Sequence, residues 1–477
     1  MRFKKVLFVI PKLEHSYPES PHNGIGYLSE YLTENNVDND IIDMRLGYSI
    51  TDVLKKIKIY SPDLIGVTTT TYNRDICYDV INKLKRNGCT VVMGGPHVST
   101  IRKDVLKECN ADYAIKLEGE HALLELCRGN DLPSIKNLIY GQNGEIIENE
   151  DRPFLIDLDQ LPFPKHAKAE LDKYKKSSTS IITSRGCPYQ CIYCASKLVM
   201  GRLFRKRSPK NVLEEIKYWY ERGVRYIHIL DDNFTLDKNR TMEICALIKK
   251  ENIIATFACD GVRADKIDTE LLTTLNDCGV EYLSFGVEGG NNKVLRAIKK
   301  GETIEQIEQA IKQSCDMGFK VYLFFIVGSP GETPADVEDS IKLVQKYPIV
   351  GANFYNLIPF PGTELYDYVQ KNNYFAVQPS EYLKFVPYYG NTPVFATPEF
   401  SYEDRKKALA KTRAIGQQIR NKVLKRRLTR FGLLGRVGYL FLRYNFVKEK
   451  LVDKLVSRST FFRKFVSKKT SEVFTKK

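Results

Sequence analysis

Short apolar runs alternate with helix-like stretches along the first part of the chain, and this alternation limits the possible folds more than any other feature. Strands and helices that alternate at this spacing form a parallel sheet covered on both faces, so residues 1–135 predict an α/β domain. The predicted strands are Lys5–Ile10, Asp38–Asp43, Asp63–Val67, Thr90–Gly94 and Tyr113–Leu117. The predicted helices between them are Ile25–Glu34, Thr51–Lys58, Arg74–Asn87 and Thr100–Glu108.

A second alternating series follows a segment rich in proline and charge. Residues 136–178 contain a predicted hairpin, with Asn143 and Gly144 at its turn, and then a linker. Because six strand–helix units are too few for a closed eight-unit barrel, residues 179–400 predict a partial barrel with a C-terminal extension. Ligands are expected beyond the carboxyl ends of the strands. The predicted strands are Ser180–Ser184, Tyr226–Leu230, Thr256–Cys259, Tyr282–Gly286, Tyr322–Val327 and Ala352–Leu357.

The positive charge is concentrated at the C-terminal end. The whole sequence has 73 Lys and Arg against 58 Asp and Glu, a net charge of +15. Residues 401–477 alone contain 23 basic and 5 acidic residues, a net of +18, which leaves −3 for the first 400 residues. The body of the chain is therefore not a basic nucleic-acid binder, and no nucleic-acid partner is expected.

Residues 401–477 predict a basic, amphipathic helical tail. Segments such as Val423–Arg430, Arg436–Tyr444 and Leu451–Arg458 mix apolar residues with Lys and Arg. Because basic amphipathic helices with aromatic residues bind anionic membrane surfaces, we expect peripheral membrane contact here. Two alternatives stay open: a solvated helix that packs on the barrel, and a site for RNA or another acidic partner.

The N-terminus, MRFKKVLFVI, combines a basic start with an apolar run that is too short for a signal peptide. It is interpreted as a first buried strand. No apolar run reaches the roughly 18 residues that a membrane-spanning helix requires. The expected location is therefore cytoplasmic, or peripheral on the cytoplasmic face of a membrane.

Three of the eleven cysteines lie close together, directly after the first strand of the second series. Cys187, Cys191 and Cys194 have the spacing C-x3-C-x2-C. Three thiolates in one loop can hold three corners of a cuboidal iron–sulfur cluster and leave one iron without a protein ligand, which is open for chemistry. A zinc site or an electron-transfer cluster with a distant fourth cysteine is the alternative, although no second pair or histidine lies nearby.

This loop, placed after the first strand of a six-unit partial barrel, resembles the radical S-adenosylmethionine superfamily, with Tyr193 at the family's aromatic position. The resemblance implies a [4Fe-4S] cluster whose open iron binds the amino and carboxylate groups of S-adenosylmethionine. Reductive cleavage then gives a 5′-deoxyadenosyl radical. It also implies a low-potential electron donor such as ferredoxin or flavodoxin.

The segments that follow the later strands match the same family. Asp231, Asp232 and Asn233 resemble the segment that receives the methionine amino group, although such a loop can also be an ordinary helix cap. Glycines after the fifth strand let the backbone approach the adenosine. The S-adenosylmethionine contacts implied by the resemblance are Tyr193, Asp231, Asp232, Asn233, Arg263, Glu288, Gly328 and Gly331.

The N-terminal domain resembles the Rossmann-like cobalamin (B12)-binding domain that precedes the barrel in one large subfamily. The D-x-H-x-x-G motif that supplies a lower-face histidine elsewhere is absent. A domain that keeps the fold without binding cobalamin is the alternative, and His97 is either a cofactor contact or simply a loop histidine. The implied cobalamin contacts are Thr68, Thr69, Gly94, Gly95, His97, Gly119 and Glu120.

The resemblance implies a cobalamin-dependent radical enzyme that methylates, cyclises or rearranges an unactivated carbon of a small molecule or lipid. The basic tail favours a lipid or membrane-associated substrate. Two other functions stay open: a radical enzyme that no longer uses cobalamin, and a non-catalytic sensor that binds an iron–sulfur cluster or B12.

Overall fold

The computed structural model describes residues 2–12, 18–175, 177–385, 390–429 and 432. Its N-terminal part is a seven-stranded sheet with the order β2-β1-β3-β4-β5-β6-β7, in which the first five strands are parallel. The strands are β1 (Lys5–Ile10), β2 (Asp38–Asp43), β3 (Leu64–Thr68), β4 (Val91–Gly94), β5 (Tyr113–Ile115), β6 (Leu138–Gln142) and β7 (Glu145–Glu148). The helices are α1 (Asn23–Glu34), α2 (Ile50–Tyr60), α3 (Arg74–Arg86), α4 (Pro96–Ile101), α5 (Val105–Glu108) and α6 (Glu120–Arg128).

Alternate residues of β1 supply two separate hydrophobic layers. Val6 and Phe8 belong to the layer that contains residues of α1 and α6, whereas Leu7 and Val9 belong to the layer that contains residues of α2 and α3. Because successive side chains of a strand point to opposite faces, a run that is apolar throughout requires helices on both sides. The predicted doubly covered sheet is confirmed.

Two local features differ from the simplest interpretation of the sequence. The predicted helix Thr100–Glu108 is divided into α4 and α5 by a 3-10 turn, and Arg102 at the break has a φ of +64°. The predicted hairpin forms as β6 and β7, and it extends the N-terminal sheet as an antiparallel edge next to β5.

The second part is a six-stranded parallel sheet with the order β15-β14-β13-β12-β11-β8. Within the described residues β15 and β8 do not pair, so the barrel is open, as predicted. Its strands are β8 (Ser178–Ile181), β11 (Tyr226–Ile229), β12 (Thr256–Val262), β13 (Val280–Glu288), β14 (Lys320–Val327) and β15 (Gly351–Asn356). A small antiparallel pair, β9 (Ser184–Arg185) and β10 (Arg205–Lys206), brackets the cysteine loop.

Helices cover the outside of the barrel, and a C-terminal extension packs on its β15 side. The helices are α7 (Ser196–Val199), α8 (Pro209–Glu221), α9 (Lys238–Lys250), α10 (Thr269–Asp277), α11 (Asn292–Ala297), α12 (Ile304–Asp316), α13 (Pro334–Lys346), α14 (Glu364–Lys371), α15 (Pro379–Phe385) and α16 (Tyr402–Thr429). At Gly416 of α16, a Cβ atom would come within 2.6 Å of the Ala352 carbonyl oxygen, so the helix backbone lies directly on β15.

The predicted tail is described only in part. Ala408 and Leu409 of α16 are buried in the barrel core, so this helix begins as a packed element of the fold. The predicted segments Arg436–Tyr444 and Leu451–Arg458 lie outside the described residues. In the described part of the chain, no helix is long and apolar enough to cross a membrane.

Candidate active site

A cavity of about 540 Å³ lies between the N-terminal sheet and the barrel. The ends of β3 and β4 and the turn before α6 line one side, where the parallel strands of the N-terminal sheet end. Ile182, Arg185, Val199, Met200 and Leu230 line the other side, around the first two strands of the barrel. Ligands of parallel sheets bind beyond the carboxyl ends of the strands, and here those ends from both parts share one cavity.

Glycine backbone forms part of the N-terminal wall of the cavity, beside side chains such as those of Phe8, Ile115 and Leu117. Thr68, Gly94, Gly95 and Gly119 all line it. Gly95 has a φ of +103°, and a Cβ there would come within 2.6 Å of the Thr69 carbonyl oxygen, so this turn requires glycine. The absence of side chains at these glycines gives room for a large flat ligand, and this part of the wall therefore fits a corrin ring.

Thr69 and His97 support this wall from inside. Thr69 is fully buried, and its hydroxyl donates a hydrogen bond of 2.9 Å to the Gly94 carbonyl oxygen. The imidazole of His97 is also fully buried, where it contacts the Thr71 hydroxyl at 3.0 Å and the Tyr78 hydroxyl at 2.8 Å. Burial lowers the pKa of His97 to about 3. Because α4 begins at Pro96, His97 lies on a helix and faces the domain interior, away from the cavity-lining residues.

Glu120, a predicted cobalamin contact, lines the cavity but also pairs across the two domains. It accepts a hydrogen bond of 2.9 Å from Nη2 of Arg185. Glu118 accepts from Arg185 at 2.8 Å and from Arg205 at 2.6 Å. Sequence reasoning missed both arginines. The only signal was the position of Arg185, two residues before Cys187.

The cysteine loop is anchored at its middle. The backbone N–H of Ile192 donates to the Ile298 carbonyl at 3.1 Å, and the Ile192 carbonyl accepts from the Leu365 N–H at 3.0 Å. Cys187, Cys191 and Cys194 are all partly exposed free thiols. Burial raises the pKa of each of them, and neighbouring thiols also contribute to the raised pKa values of Cys187 and of Cys194, which reaches about 12.

The loop's chemistry fits an iron–sulfur cluster. In the described part of the chain, no three His, Cys, Asp or Glu side chains converge closely enough to hold one metal ion. The fit therefore rests on three thiols in one anchored loop, in which Cys191 is near enough to raise the pKa of both Cys187 and Cys194. Thiolates are the ligands that iron–sulfur clusters take in proteins, and binding would release the protons that burial retains.

Arg263, a predicted cofactor contact, lies against the cysteine loop. Its guanidinium carbon is 3.4 Å from the centroid of the Tyr189 ring. It also forms ion pairs with Asp265 at 3.0 Å and Glu302 at 3.5 Å, and it donates to the Lys300 carbonyl at 2.9 Å. These partners and the ring of Tyr189 fix the Arg263 guanidinium against the loop.

Glu288 lies beside the other end of the loop. It has a φ of +70° at the end of β13, and its carboxylate is 3.4 Å from Nζ of Lys300. Burial raises the pKa of the Tyr193 phenol strongly, and the charge of Glu288 raises it further. Burial lowers the pKa of Lys300, but the charges of Glu288 and Glu302 raise it by more. This lysine is therefore a buried cation, and it lies close to Cys191.

The three predicted residues after β11 have three different environments. Asp231 accepts hydrogen bonds from the Thr183 N–H at 2.6 Å and the Ser184 hydroxyl at 2.6 Å, so it braces the start of the loop. Asp232 is exposed and accepts from the Ser196 hydroxyl at 2.9 Å, just after Cys194. Asn233 is fully buried, and neither atom of its amide has a partner in the described chain. An orphaned amide here fits a polar ligand group.

Gly328 and Gly331 shape the turn after β14 in different ways. Gly328 has a φ of +111°, and a Cβ there would overlap the guanidinium of Arg405, which α16 inserts beneath the turn. Gly331 has a φ of +69° with open space around it. Glu332 closes the turn by accepting from the N–H groups of Gly328 at 2.6 Å and Ser329 at 2.9 Å. Gly331, which is half-buried with open space around it, is the part of this turn that fits an adenosine.

Two family models match the two parts of the chain. The B12 binding domain matches residues 13–127, and the Radical SAM superfamily matches residues 181–344. These ranges contain the two walls of the cavity and the cysteine loop.

Individual relatives extend the match over most of the chain. An uncharacterized methyltransferase of Pyrococcus horikoshii is 32% identical over 441 residues, which cover 89% of this chain and 94% of the relative. An anaerobic magnesium-protoporphyrin IX monomethyl ester cyclase of Rubrivivax gelatinosus is 27% identical and covers 76% of this chain and 69% of its own length.

A solved structure shares the fold. The cobalamin-dependent S-adenosylmethionine radical enzyme OxsB, with aqua-cobalamin and S-adenosylmethionine bound, superposes with a TM-score of 0.75 at 16% identity and covers 98% of this chain and 75% of OxsB. The chain therefore belongs to the radical SAM superfamily, in the group of enzymes with an N-terminal B12-binding domain, whose cofactors are a [4Fe-4S] cluster, S-adenosylmethionine and cobalamin.

Proposed function

We propose that this enzyme transfers a methyl group from cobalamin to an unactivated carbon of an apolar, membrane-associated substrate. The observation that carries the proposal is the shared cavity, which is lined by the turns after β3 and β4 on one side and by Arg185, two residues before Cys187, on the other. When bound, the reduced cluster and S-adenosylmethionine supply a 5′-deoxyadenosyl radical, and methylcobalamin supplies the methyl group.

The apolar wall of the cavity supports an apolar substrate. Ile182, Val199, Met200 and Leu230 line the barrel side, and Leu230 is 43% exposed there. A leucine exposed to a cavity beside other apolar side chains would contact an apolar substrate directly. Such a wall also excludes water, which protects a carbon radical from side reactions.

The chain's own residues would hold and orient the reacting groups. In this proposal, Cys187, Cys191 and Cys194 hold the cluster, while Asp232 and Glu288 bind polar groups of S-adenosylmethionine. Gly94, Gly95 and Gly119 present backbone to the corrin ring. Electrons come from a low-potential protein donor such as ferredoxin or flavodoxin.

The basic C-terminal region supports a membrane location for the substrate. Residues 401–429 contain ten Lys and Arg against two Asp and Glu, and residues 430–477 contain a further thirteen against three. Each basic residue close to an anionic lipid surface contributes about 1 kcal/mol to binding. The tail would therefore keep the enzyme at the cytoplasmic surface of a membrane, where an apolar substrate is found.

Transfer of a deuterated methyl group tests this proposal. Anaerobically reconstituted enzyme is incubated with a membrane lipid extract, a reductant and S-adenosylmethionine that carries a deuterated methyl group. We expect a lipid-soluble product that carries the label and that the Cys191→Ala variant does not form. Label only in water-soluble products of a whole-metabolite extract would exclude the lipid substrate.

A ring-forming reaction is the second candidate. The similarity to the anaerobic magnesium-protoporphyrin IX monomethyl ester cyclase, over 76% of this chain, favours it. In that case the same incubation would yield 5′-deoxyadenosine and a substrate-derived product without the label, because no methyl group is transferred.

A further inference from the structure

Four charged side chains join the two domains at the edge of the cavity. Glu118 and Glu120 flank Gly119 in the N-terminal part, and Arg185 and Arg205 lie on the paired strands β9 and β10. We name these four residues the interdomain clamp. Their side chains are between 1% and 12% exposed.

Every charge of the clamp has an opposite charge within 2.9 Å, although Nε of Arg205 has no hydrogen-bond partner in the described chain. Arg185 uses one nitrogen for Glu118, at 2.8 Å, and another for Glu120, at 2.9 Å. Arg205 bonds Glu118 at 2.6 Å and also donates to the Met200 carbonyl at 2.9 Å. Burial raises the pKa of Glu118, but the two arginines lower it by more, so the carboxylate stays ionised. Two positive and two negative charges cancel, and removing one of them would leave a buried charge without its partner.

One side of the clamp leads directly to the cluster ligands. Gly186 separates Arg185 from Cys187 and has a φ of +87°. A Cβ at Gly186 would overlap the Leu203 carbonyl oxygen, so only glycine fits this turn, which packs tightly against the chain before β10. The N–H of Cys187 donates to the Gly201 carbonyl at 3.3 Å. A displacement of Arg185 therefore moves Cys187 with it.

The other side of the clamp belongs to the cobalamin wall. Glu118, Gly119 and Glu120 all line the cavity, next to the glycine wall formed by Gly94 and Gly95. A ligand seated against this wall contacts the turn that carries both carboxylates. When a ligand orders that turn, the two carboxylates that accept hydrogen bonds from Arg185 are fixed in place. The cysteine loop then loses less conformational entropy when the cluster orders it.

We propose that Arg185 is a positioning residue through which cobalamin binding and cluster binding stabilise each other. Cobalamin in the cavity holds Glu118 and Glu120, these carboxylates hold Arg185, and Arg185 holds Cys187 in the geometry for cluster ligation. The coupling is reciprocal, so the cluster strengthens cobalamin binding by the same factor by which cobalamin strengthens cluster binding. This inference does not depend on the identity of the substrate.

The test measures the dissociation constant of hydroxocobalamin under anaerobic conditions, on cluster-loaded and on cluster-free protein. For the wild type we expect binding to be at least about five-fold tighter when the cluster is present, the lower end of the usual range for coupled sites. A second measurement follows iron loss to an iron(II) chelator, which bound cobalamin should slow. Equal dissociation constants in the two wild-type forms would overturn the proposal without any variant.

Two matched variants locate the coupling. Glu120→Gln should lose the difference between the two forms, whatever its effect on cobalamin binding itself, because it removes one of the two carboxylates that Arg185 bridges. Glu125→Gln is the control, because Glu125 lies on the same helix and pairs with Arg152 at 2.6 Å, which is not part of the barrel. If Glu120→Gln does not fold, Arg185→Lys replaces it, since a lysine cannot bond both carboxylates in the same way. Retention of the full difference in Glu120→Gln or in Arg185→Lys would contradict the role of the clamp.

Discussion

The guanidinium of Arg263 lies over the ring of Tyr189, 3.4 Å from its centroid, and so attaches the third strand of the barrel to the cysteine loop. The same arginine pairs with Asp265 and Glu302, so its charge is balanced on the side away from the ring. The loop that would bind the cluster is therefore held by a cation that is itself fixed in the barrel.

Arg263→Gln should weaken this attachment. We expect the variant to retain less iron after reconstitution and to lose about 1.5–3 kcal/mol of stability, because the carboxylates of Asp265 and Glu302 lose one of their two cationic partners. Arg225→Gln is the matched control, since Arg225 lies over Tyr220 at 3.9 Å but far from the loop. Equal iron contents in both variants would show that the stacking on Tyr189 does not support the cluster.

Glu288→Gln tests the proposed contact to S-adenosylmethionine. Removing the charge should raise the dissociation constant of S-adenosylmethionine by about ten-fold, which corresponds to about 1.4 kcal/mol, while the iron content stays unchanged. Glu281→Gln changes a glutamate at the other end of the same strand, where it pairs with Lys320, and should leave the affinity as it is. Isothermal titration under anaerobic conditions measures both; similar affinities in the two variants would count against Glu288.

The two glycines after β14 form a natural comparison. Gly331→Ala should cost about 1–2 kcal/mol, the usual cost of a left-handed backbone for a residue with a Cβ. Gly328→Ala should cost at least twice as much, because its Cβ would also overlap Arg405. Chemical denaturation measures the two costs, and a milder effect at Gly328 than at Gly331 would contradict the packing of α16 beneath the turn.

Acid should destabilise the protein through its buried histidines. Burial lowers the pKa of His97 to about 3, so between about pH 6.5 and pH 3 the unfolded chain binds a proton that the folded chain does not. The stability that His97 contributes is complete above pH 6.5 and is lost as the pH falls through this range. His22 and His166 behave in the same way, with pKa values of about 4 and about 3.

His97→Gln isolates one of these protons. The pH dependence of the unfolding free energy between pH 6 and pH 4 should become shallower by about 1.4 kcal/mol per pH unit, since one proton uptake is removed. The measurement is urea denaturation at several pH values. A slope identical to that of the wild type would mean that His97 is protonated in the folded protein.

Binding to lipid vesicles tests the membrane role proposed for the tail. The full chain should sediment with vesicles that contain anionic lipids, and a chain that ends at Thr429 should sediment less, because it lacks thirteen of the basic residues. Zwitterionic vesicles and high salt are the controls, since the attraction is electrostatic. Equal sedimentation of the two chains would exclude residues 430–477 as the membrane anchor.

The architecture was predictable because it depends on local patterns. Alternating apolar runs specify parallel strands, and the carboxyl ends of such strands must meet at one edge of each sheet. This reasoning located the cysteine loop after β8 and the turns at Gly94 and Gly328 without knowledge of any contact. The family to which the chain belongs followed from these same turns.

The partners within the site were not predictable. Arg185 and Glu118 are 67 residues apart in the sequence, and Arg263 and Lys300 are 37 residues apart. Such pairs are specified by the packing of whole elements, which no short pattern encodes. His97 illustrates the same limit: its place beside two glycines suggests a ligand contact, but the start of α4 at Pro96 points it into the core.

Formation of 5′-deoxyadenosine tests the central claim most directly. Anaerobically reconstituted and reduced wild-type enzyme should convert S-adenosylmethionine to 5′-deoxyadenosine, whereas Cys191→Ala should form at most about one tenth as much, because a cluster without its third thiolate is not held. Cys259→Ala, which changes a buried cysteine of the barrel core, should retain the activity. Equal yields from the wild type and from Cys191→Ala would contradict the account.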